Sequence, residues 1–230
     1  MKSKKIIVAI DTDNLKKAKN LVEKLKNEVF AFKIGHEFFY NFGIEGYKEI
    51  YKISSKIFLD LKLHDIPNTV EKGLIAILKL KPIFTTIHIS GGDNMQKLSS
   101  KRNNKITKVL GVTVLTSLDK RQTLKYYKEK NVNNLVTKFA KYAKNNNLSG
   151  LVCSPLEIKI LRKEVGKKMI LVVPGIRLEK KFLLKKDDQK RTLTPKEAIK
   201  LGADYLVIGR PIIESKNPLE TIKKINQSIK

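Results

Sequence analysis

Eight times along this chain a short apolar run is followed by an amphipathic, lysine-rich segment, and that alternation restricts its possible folds more than any other feature. The apolar runs are Lys5 to Asp11, Val29 to Ile34, Ile57 to Lys62, Phe84 to Ile89, Lys108 to Leu115, Gly150 to Ser154, Met169 to Val173 and Tyr205 to Gly209. Each has strand length and a bias toward branched or aromatic residues. Between them lie helical patterns. Leu15, Ala18, Val22 and Leu25 recur at three- and four-residue spacing within Asn14 to Asn27, and Val70, Leu74, Ile77 and Leu78 do so within Asn68 to Leu80. Asn217 to Lys230 supplies a last helix. No repeat, low-complexity tract or linker divides the chain. Eight such units in 230 residues predict one α/β domain over residues 1 to 230, a (β/α)8 TIM barrel, rather than an open doubly wound sheet.

The composition fits an ordinary globular protein, with 41% hydrophobic and 30% charged residues. No apolar run approaches the roughly 20 residues that a membrane span needs, so no membrane partner is expected. The opening MKSKKIIVAIDTD reads as a first strand and not as a signal peptide, because its apolar run is short and meets Asp11 at once. A single cysteine, Cys153, excludes an internal disulfide framework and points to a reducing compartment, the cytoplasm. The net charge of +26 by itself suggests nucleic acid or an anionic substrate. Of the 48 basic residues, however, only six are arginine, and the lysines are spread from end to end. Phosphate and base recognition favour arginine forks, so the charge reads as a solvated surface and no nucleic-acid partner is expected.

In a barrel of this kind functional polar residues collect at the C-terminal ends of the strands. Here those ends carry Asp11, Lys33, Asp60 with Lys62, His88, Thr116, Cys153, Arg177, and Gly209 with Arg210, while the strand starts are mostly apolar or lysine. The densest end is Leu59 to Pro67, LDLKLHDIP. Successive side chains of a strand alternate faces, so Asp60 and Lys62 share one face while Leu59, Leu61 and Leu63 share the other. Asp65 lies just beyond, close enough in sequence to fold back beside Lys62. Lys33, Asp60, Lys62 and Asp65 are therefore expected to form an alternating array in which each charge keeps its neighbour ionised. Such an array supplies a fixed lysine proton donor for a reaction that builds negative charge on carbon.

A second constellation joins the exits of strands seven and eight, Pro174-Gly175-Ile176-Arg177 and Gly209-Arg210-Pro211-Ile212. Glycine lets backbone N–H groups approach an anion, a following helix adds its dipole, and Arg210 offers a bidentate fork, which together suit phosphate. His36, His64 and His88 lack metal-ligand spacing, and no paired-cysteine motif is present, so no metal is expected. Structural roles are expected for His64 and His88. Neither a dinucleotide fingerprint nor a P-loop occurs. Cys153 has no base near it in sequence and reads as a small buried residue.

The runs AIDTD, FKIG, FLDLKLHDIPNT, IHISGG, VTVLTS, VCSPLE, VPGIR, DDQKR and IGRPI, in this order and over nearly the whole chain, resemble the orotidine 5′-phosphate decarboxylase family in its short bacterial form. The resemblance implies decarboxylation of orotidine 5′-phosphate to UMP with no metal or organic cofactor. Lys62 is then the proton donor to C6 of the pyrimidine, with Asp60 beside the departing carboxylate and Lys33 completing the array. It also implies that Asp11 and Lys33 hold ribose hydroxyls, that Thr116 meets the pyrimidine, and that Arg177, Gln189, Gly209 and Arg210 grip the phosphate. Asp65 and Thr69 are implied to reach into the site of a neighbouring subunit, which makes the protein a homodimer. Spacing alone permits Asp65 beside Lys62 of its own chain.

One segment departs from the family pattern. Between Arg177 and Gln189 the family has a shorter, small and polar lid, whereas Leu178 to Lys186 here reads LEKKFLLKK. Phosphate-binding barrels resembling 3-keto-gulonate 6-phosphate decarboxylase share an acid-x-lysine motif but use magnesium and lack the combined HDIPNT and PGIR runs. A catalytically silent, nucleic-acid-binding barrel is the alternative that the charge suggests.

Overall fold

The computed structural model describes residues 4–177 and 193–229. In it the strands and helices alternate as β1 (Ile6–Ala9), α1 (Leu15–Leu25), β2 (Ala31–Ile34), α2 (His36–Ile53), β3 (Ile57–Leu63), α3 (Pro67–Leu78), β4 (Phe84–His88), α4 (Asp93–Ser100) and β5 (Lys108–Val112). Two helices, α5 (Lys120–Tyr127) and α6 (Val132–Asn145), precede β6 (Gly150–Val152), and the chain continues through α7 (Ile158–Val165), β7 (Ile170–Val173), α8 (Pro195–Leu201), β8 (Tyr205–Ile208), α9 (Arg210–Ile213) and α10 (Pro218–Ser228). The eight strands pair in parallel in sequence order, and β8 closes on β1 through Ile6 to Leu206 and Val8 to Ile208. The expected (β/α)8 TIM barrel is therefore the observed fold.

Strand periodicity divides the core in two. Inward residues, among them Ile7, Ala31, Phe58, Phe84, Leu110, Val172 and Val207, fill the barrel. Outward residues such as Ile6, Val8, Phe32, Leu59 and Leu206 pack beneath the helices. The helices begin where their sequences allow. The Asn14 side chain accepts the N–H of Lys17 at the start of α1, and Asp119 and Gln122 form a capping box at the start of α5. No described helix is long and apolar enough to cross a membrane.

Several strands stop earlier than their apolar runs suggest, β1 at Ala9 rather than Asp11, β5 at Val112 rather than Leu115 and β6 at Val152 rather than Ser154, while β3 continues to Leu63. One more residue at each of the three early ends keeps the ladder, Ile10 donating to Lys33 O, Thr113 to Val152 O and Cys153 to Val172 O, before the pairing stops. The polar residues that follow thus stand at the barrel mouth and not within the sheet.

Candidate active site

The mouth opens into a cavity of about 590 Å³ whose lining includes Asp11, Lys33, Asp60, Lys62, Thr116, Arg177, Gly209 and Arg210. Asp60 continues the inward parity of Phe58, Lys33 that of Ala31 and Asp11 that of Ala9, so on β1, β2 and β3 the barrel's filling changes from apolar to charged within one inward step.

The charges alternate in space. Lys33 Nζ lies 3.3 Å from Asp11 Oδ1 and 3.9 Å from Asp60 Oδ2, and Lys62 Nζ lies 2.7 Å from the same Asp60 oxygen. The Asp60 side chain is only 6% exposed. Burial pushes its carboxyl up, but the ammoniums of Lys33 and Lys62, with hydrogen bonds from Lys62 and Thr86, outweigh burial and hold it below its ordinary range. Asp60 is therefore an anion clamped between two cations.

Lys62 reaches this position through an irregular strand. β3 and β4 pair Leu59 with Thr85 and then Leu63 with Ile87, so the register shifts between them. Within the shift Lys62 has φ 48°, a left-handed conformation that costs a non-glycine residue about 1–2 kcal/mol. Strain of this kind persists where surrounding contacts enforce it, and it gathers at functional sites. Gly35 makes a complementary allowance: a Cβ there would fall 2.7 Å from Lys33 Nζ and 3.1 Å from Asp11 Oδ1.

Asp65 does not join the array in its own chain. It is exposed, lies outside the cavity lining and accepts the N–H of Ile66 at 2.6 Å, and it makes no ion pair among the described residues. β3 ends at Leu63 and Pro67 opens α3, so the connecting turn carries Asp65 away from Lys62. The fourth member of the array is Asp11. Thr69, on the first turn of α3, is likewise exposed and off the cavity.

Gly175, with φ 78°, bends β7's exit toward the cavity in a conformation suited to glycine. Arg177 donates its backbone N–H to Leu193 O at 3.1 Å, beside a bridge between Ile176 and Leu193. Gly209 and Arg210 follow β8, which pairs with β1, so a Cβ on Gly209 would fall 3.9 Å from Asp11 Oδ2; the helix that follows, α9, is a single turn and its dipole is correspondingly short. Gln189 and the segment Leu178 to Lys186 lie outside the described residues.

His64 and His88 pack with ring centroids 5.2 Å apart. Burial pushes His88 down to about 4, helped by His64 and Lys62, so it is neutral at pH 7. His36 Nε2 lies 3.0 Å from Leu61 O, beside the β3 irregularity. No group of three or more His, Cys, Asp or Glu side chains among the described residues could hold a metal ion. The buried Cys153 thiol is pushed well up by burial and by the Glu157 carboxylate, which leaves it a poor nucleophile.

Sequence reasoning missed Thr86, Glu37 and Glu214. The two glutamates line the cavity without any signal in the strand pattern. Thr86 had one: on β4 it shares inward parity with Phe84, where a barrel interior favours apolar residues. As a whole the site presents a fixed ammonium donor beside a buried anion, facing a space with arginines on its rim. That arrangement suits protonation of a carbanion generated in an anchored anionic substrate.

The family model for orotidine 5′-phosphate decarboxylase / HUMPS matches residues 4–225. The chain is 45% identical over 226 residues to an orotidine 5′-phosphate decarboxylase of Wolbachia pipientis subsp. Culex pipiens, covering 97% of this chain and 98% of the relative. It is 40% identical over 232 residues to the Pseudoalteromonas translucida protein of that name, covering 99% and 98%. The crystal structure of orotidine 5′-phosphate decarboxylase from Lactobacillus acidophilus superposes with a TM-score of 0.83 at 35% identity, covering 99% of both chains. An inhibitor-bound decarboxylase from Methanocaldococcus jannaschii, at 24% identity and a TM-score of 0.78 over 98% of both chains, shares the fold.

Proposed function

The chain belongs to the orotidine 5′-phosphate decarboxylase / HUMPS family, and from that membership and the geometry of its cavity we propose that it is a carboxy-lyase converting orotidine 5′-phosphate to UMP and CO2 without a metal, the last step of pyrimidine nucleotide synthesis. The observation that carries this reading is the ionised Asp60 held 2.7 Å from Lys62 on the wall of a cavity rimmed by Arg177 and Arg210.

In the proposed step the bond between C6 and the carboxylate carbon breaks, its electron pair stays on C6, and Lys62 Nζ delivers a proton there as CO2 departs. Asp60 fixes Lys62, and its charge opposes the neighbouring carboxylate of the bound substrate, a repulsion relieved as CO2 leaves. Lys33 keeps Asp60 ionised and, with Asp11, holds ribose hydroxyls. Thr116 meets the pyrimidine. Arg177, Gln189, Gly209 and Arg210 bind phosphate, whose binding energy orders the reacting end. A single buried cysteine fits a reducing, cytoplasmic setting.

Asp65 and Thr69 complete the site of a second copy in a homodimer. Their exposure supports this, as does the neighbouring Ile66, 66% exposed, whose burial against a partner contributes about 1–2 kcal/mol. Mixing Lys62→Ala protein with Asp65→Ala protein then restores activity in the heterodimers, toward roughly a quarter of the wild-type value for random pairing. No recovery on mixing would place Asp65 in its own chain's site.

The decisive assay is loss of orotidine 5′-phosphate absorbance with purified protein in excess chelator. Sustained turnover is expected. No turnover, or turnover only when magnesium is restored, overturns the reading.

A further inference from the structure

We infer that Thr86 is a positioning residue for the proton donor, its one hydroxyl holding both the backbone of Lys62 and the carboxylate of Asp60. The inference rests on the proposed role of Lys62. Thr86 is fully buried and points into the barrel from β4, one step above Phe84. A hydroxyl in such a place costs free energy unless it is hydrogen-bonded, and this one is bonded twice. Its Oγ1 donates to Asp60 Oδ1 at 2.8 Å and accepts the backbone N–H of Lys62 at 2.9 Å.

The directions are forced. A backbone N–H only donates, so the oxygen of Thr86 must accept from Lys62, and Asp60, kept ionised by Lys33 and Lys62, can only accept the hydroxyl's single proton. The two bonds also act at the irregular point of the sheet. Where the β3 and β4 ladder shifts between Leu59 and Leu63, the N–H of Lys62 goes to this side chain while Lys62 takes φ 48°. Thr86 thus ties the strained backbone that aims the ammonium to the carboxylate that receives it. Thr86 is fully buried and does not line the cavity, so its effect belongs to the chemical step and not to binding.

Thr86→Val keeps the side chain's shape and removes the hydroxyl. The expected result is a fall in kcat of at least about 30-fold with UMP affinity within about threefold of wild type. The acid limb of the kcat profile moves to higher pH, because Asp60 loses a donor to its charged form. Thr86→Ser, which restores the hydroxyl, returns kcat to within about threefold of wild type. If Thr86→Val does not fold, Thr86→Ala carries the same criteria. A hydroxyl-free variant with near-normal kcat, or a serine variant as impaired as the valine one, overturns the inference. Wild-type protein assayed in parallel separates the two levels: an inactive wild type overturns the decarboxylase reading, whereas an active wild type with an equally active Thr86→Val overturns only the role of Thr86.

Discussion

At the N-terminal end of the barrel Arg162 and Asp204 form a cation and carboxylate pair as close as Lys62 and Asp60 at the other end, 2.6 Å against 2.7 Å. The two pairs are otherwise unlike. The Arg162 guanidinium also donates to the carbonyls of Gly202 and Met169 at 3.0 and 2.9 Å, and Asp204 also accepts the N–H of Leu171 at 2.8 Å. These bonds tie the ends of α7 and α8 to the starts of β7 and β8. Such a charge is consumed by structure. At the mouth, the ammonium of Lys62 has one hydrogen-bond partner among the described residues, sits on a left-handed backbone and faces a cavity. A charge closed in by backbone carbonyls holds a fold together, whereas one with donors to spare and open space before it is available for chemistry.

The contrast is broken or sharpened first at the mouth. Lys62→Ala should lower decarboxylation by roughly 10³–10⁴-fold while UMP still binds measurably, as expected for removal of a general acid. Near-normal turnover would end the distinction between the two pairs. Next comes the base, where Arg162→Met should cost about 1–3 kcal/mol and roughly 3–10 °C in Tm. Its kcat per folded molecule should stay within about twofold of wild type, and a loss approaching that of Lys62→Ala would mean that the base is not merely structural.

The smallest effect concerns pH. The folded chain holds His88 at about 4 against its ordinary 6.5, so between these values the unfolded chain binds a proton that the folded chain does not. Stability should therefore rise with pH across that window and fall as acid is added. Asp60, held below its ordinary 3.8, adds an acid loss only beneath that window. Thermal unfolding from pH 4 to 7 should show the slope, and His88→Asn should flatten it. A wild-type curve already flat there would remove His88 from the account.

The reading of LDLKLHDIP shows how far residue order reaches. Parity put Asp60 and Lys62 on one face, and the structure places them there. Asp65, five residues from Asp60, was a candidate for the same array, yet the turn before Pro67 carries it outward and Asp11, from a different strand, stands beside Lys33. Order along the chain constrains neighbours within a strand but not the direction of a loop. The phosphate corner was legible in its glycines and arginines, and the helix that leaves it proved to be the single turn Arg210–Ile213.

What the sequence by itself determined is therefore the barrel, its eight strands in order, and the identity of the charged strand ends, since alternating periodicities and strand parity are local properties of the chain. Only the tertiary structure decided the membership of the array, the left-handed turn at Lys62 and the part played by Thr86. Each of these depends on register between strands, and a hydroxyl buried between two neighbours carries no charge or spacing by which the chain alone announces it.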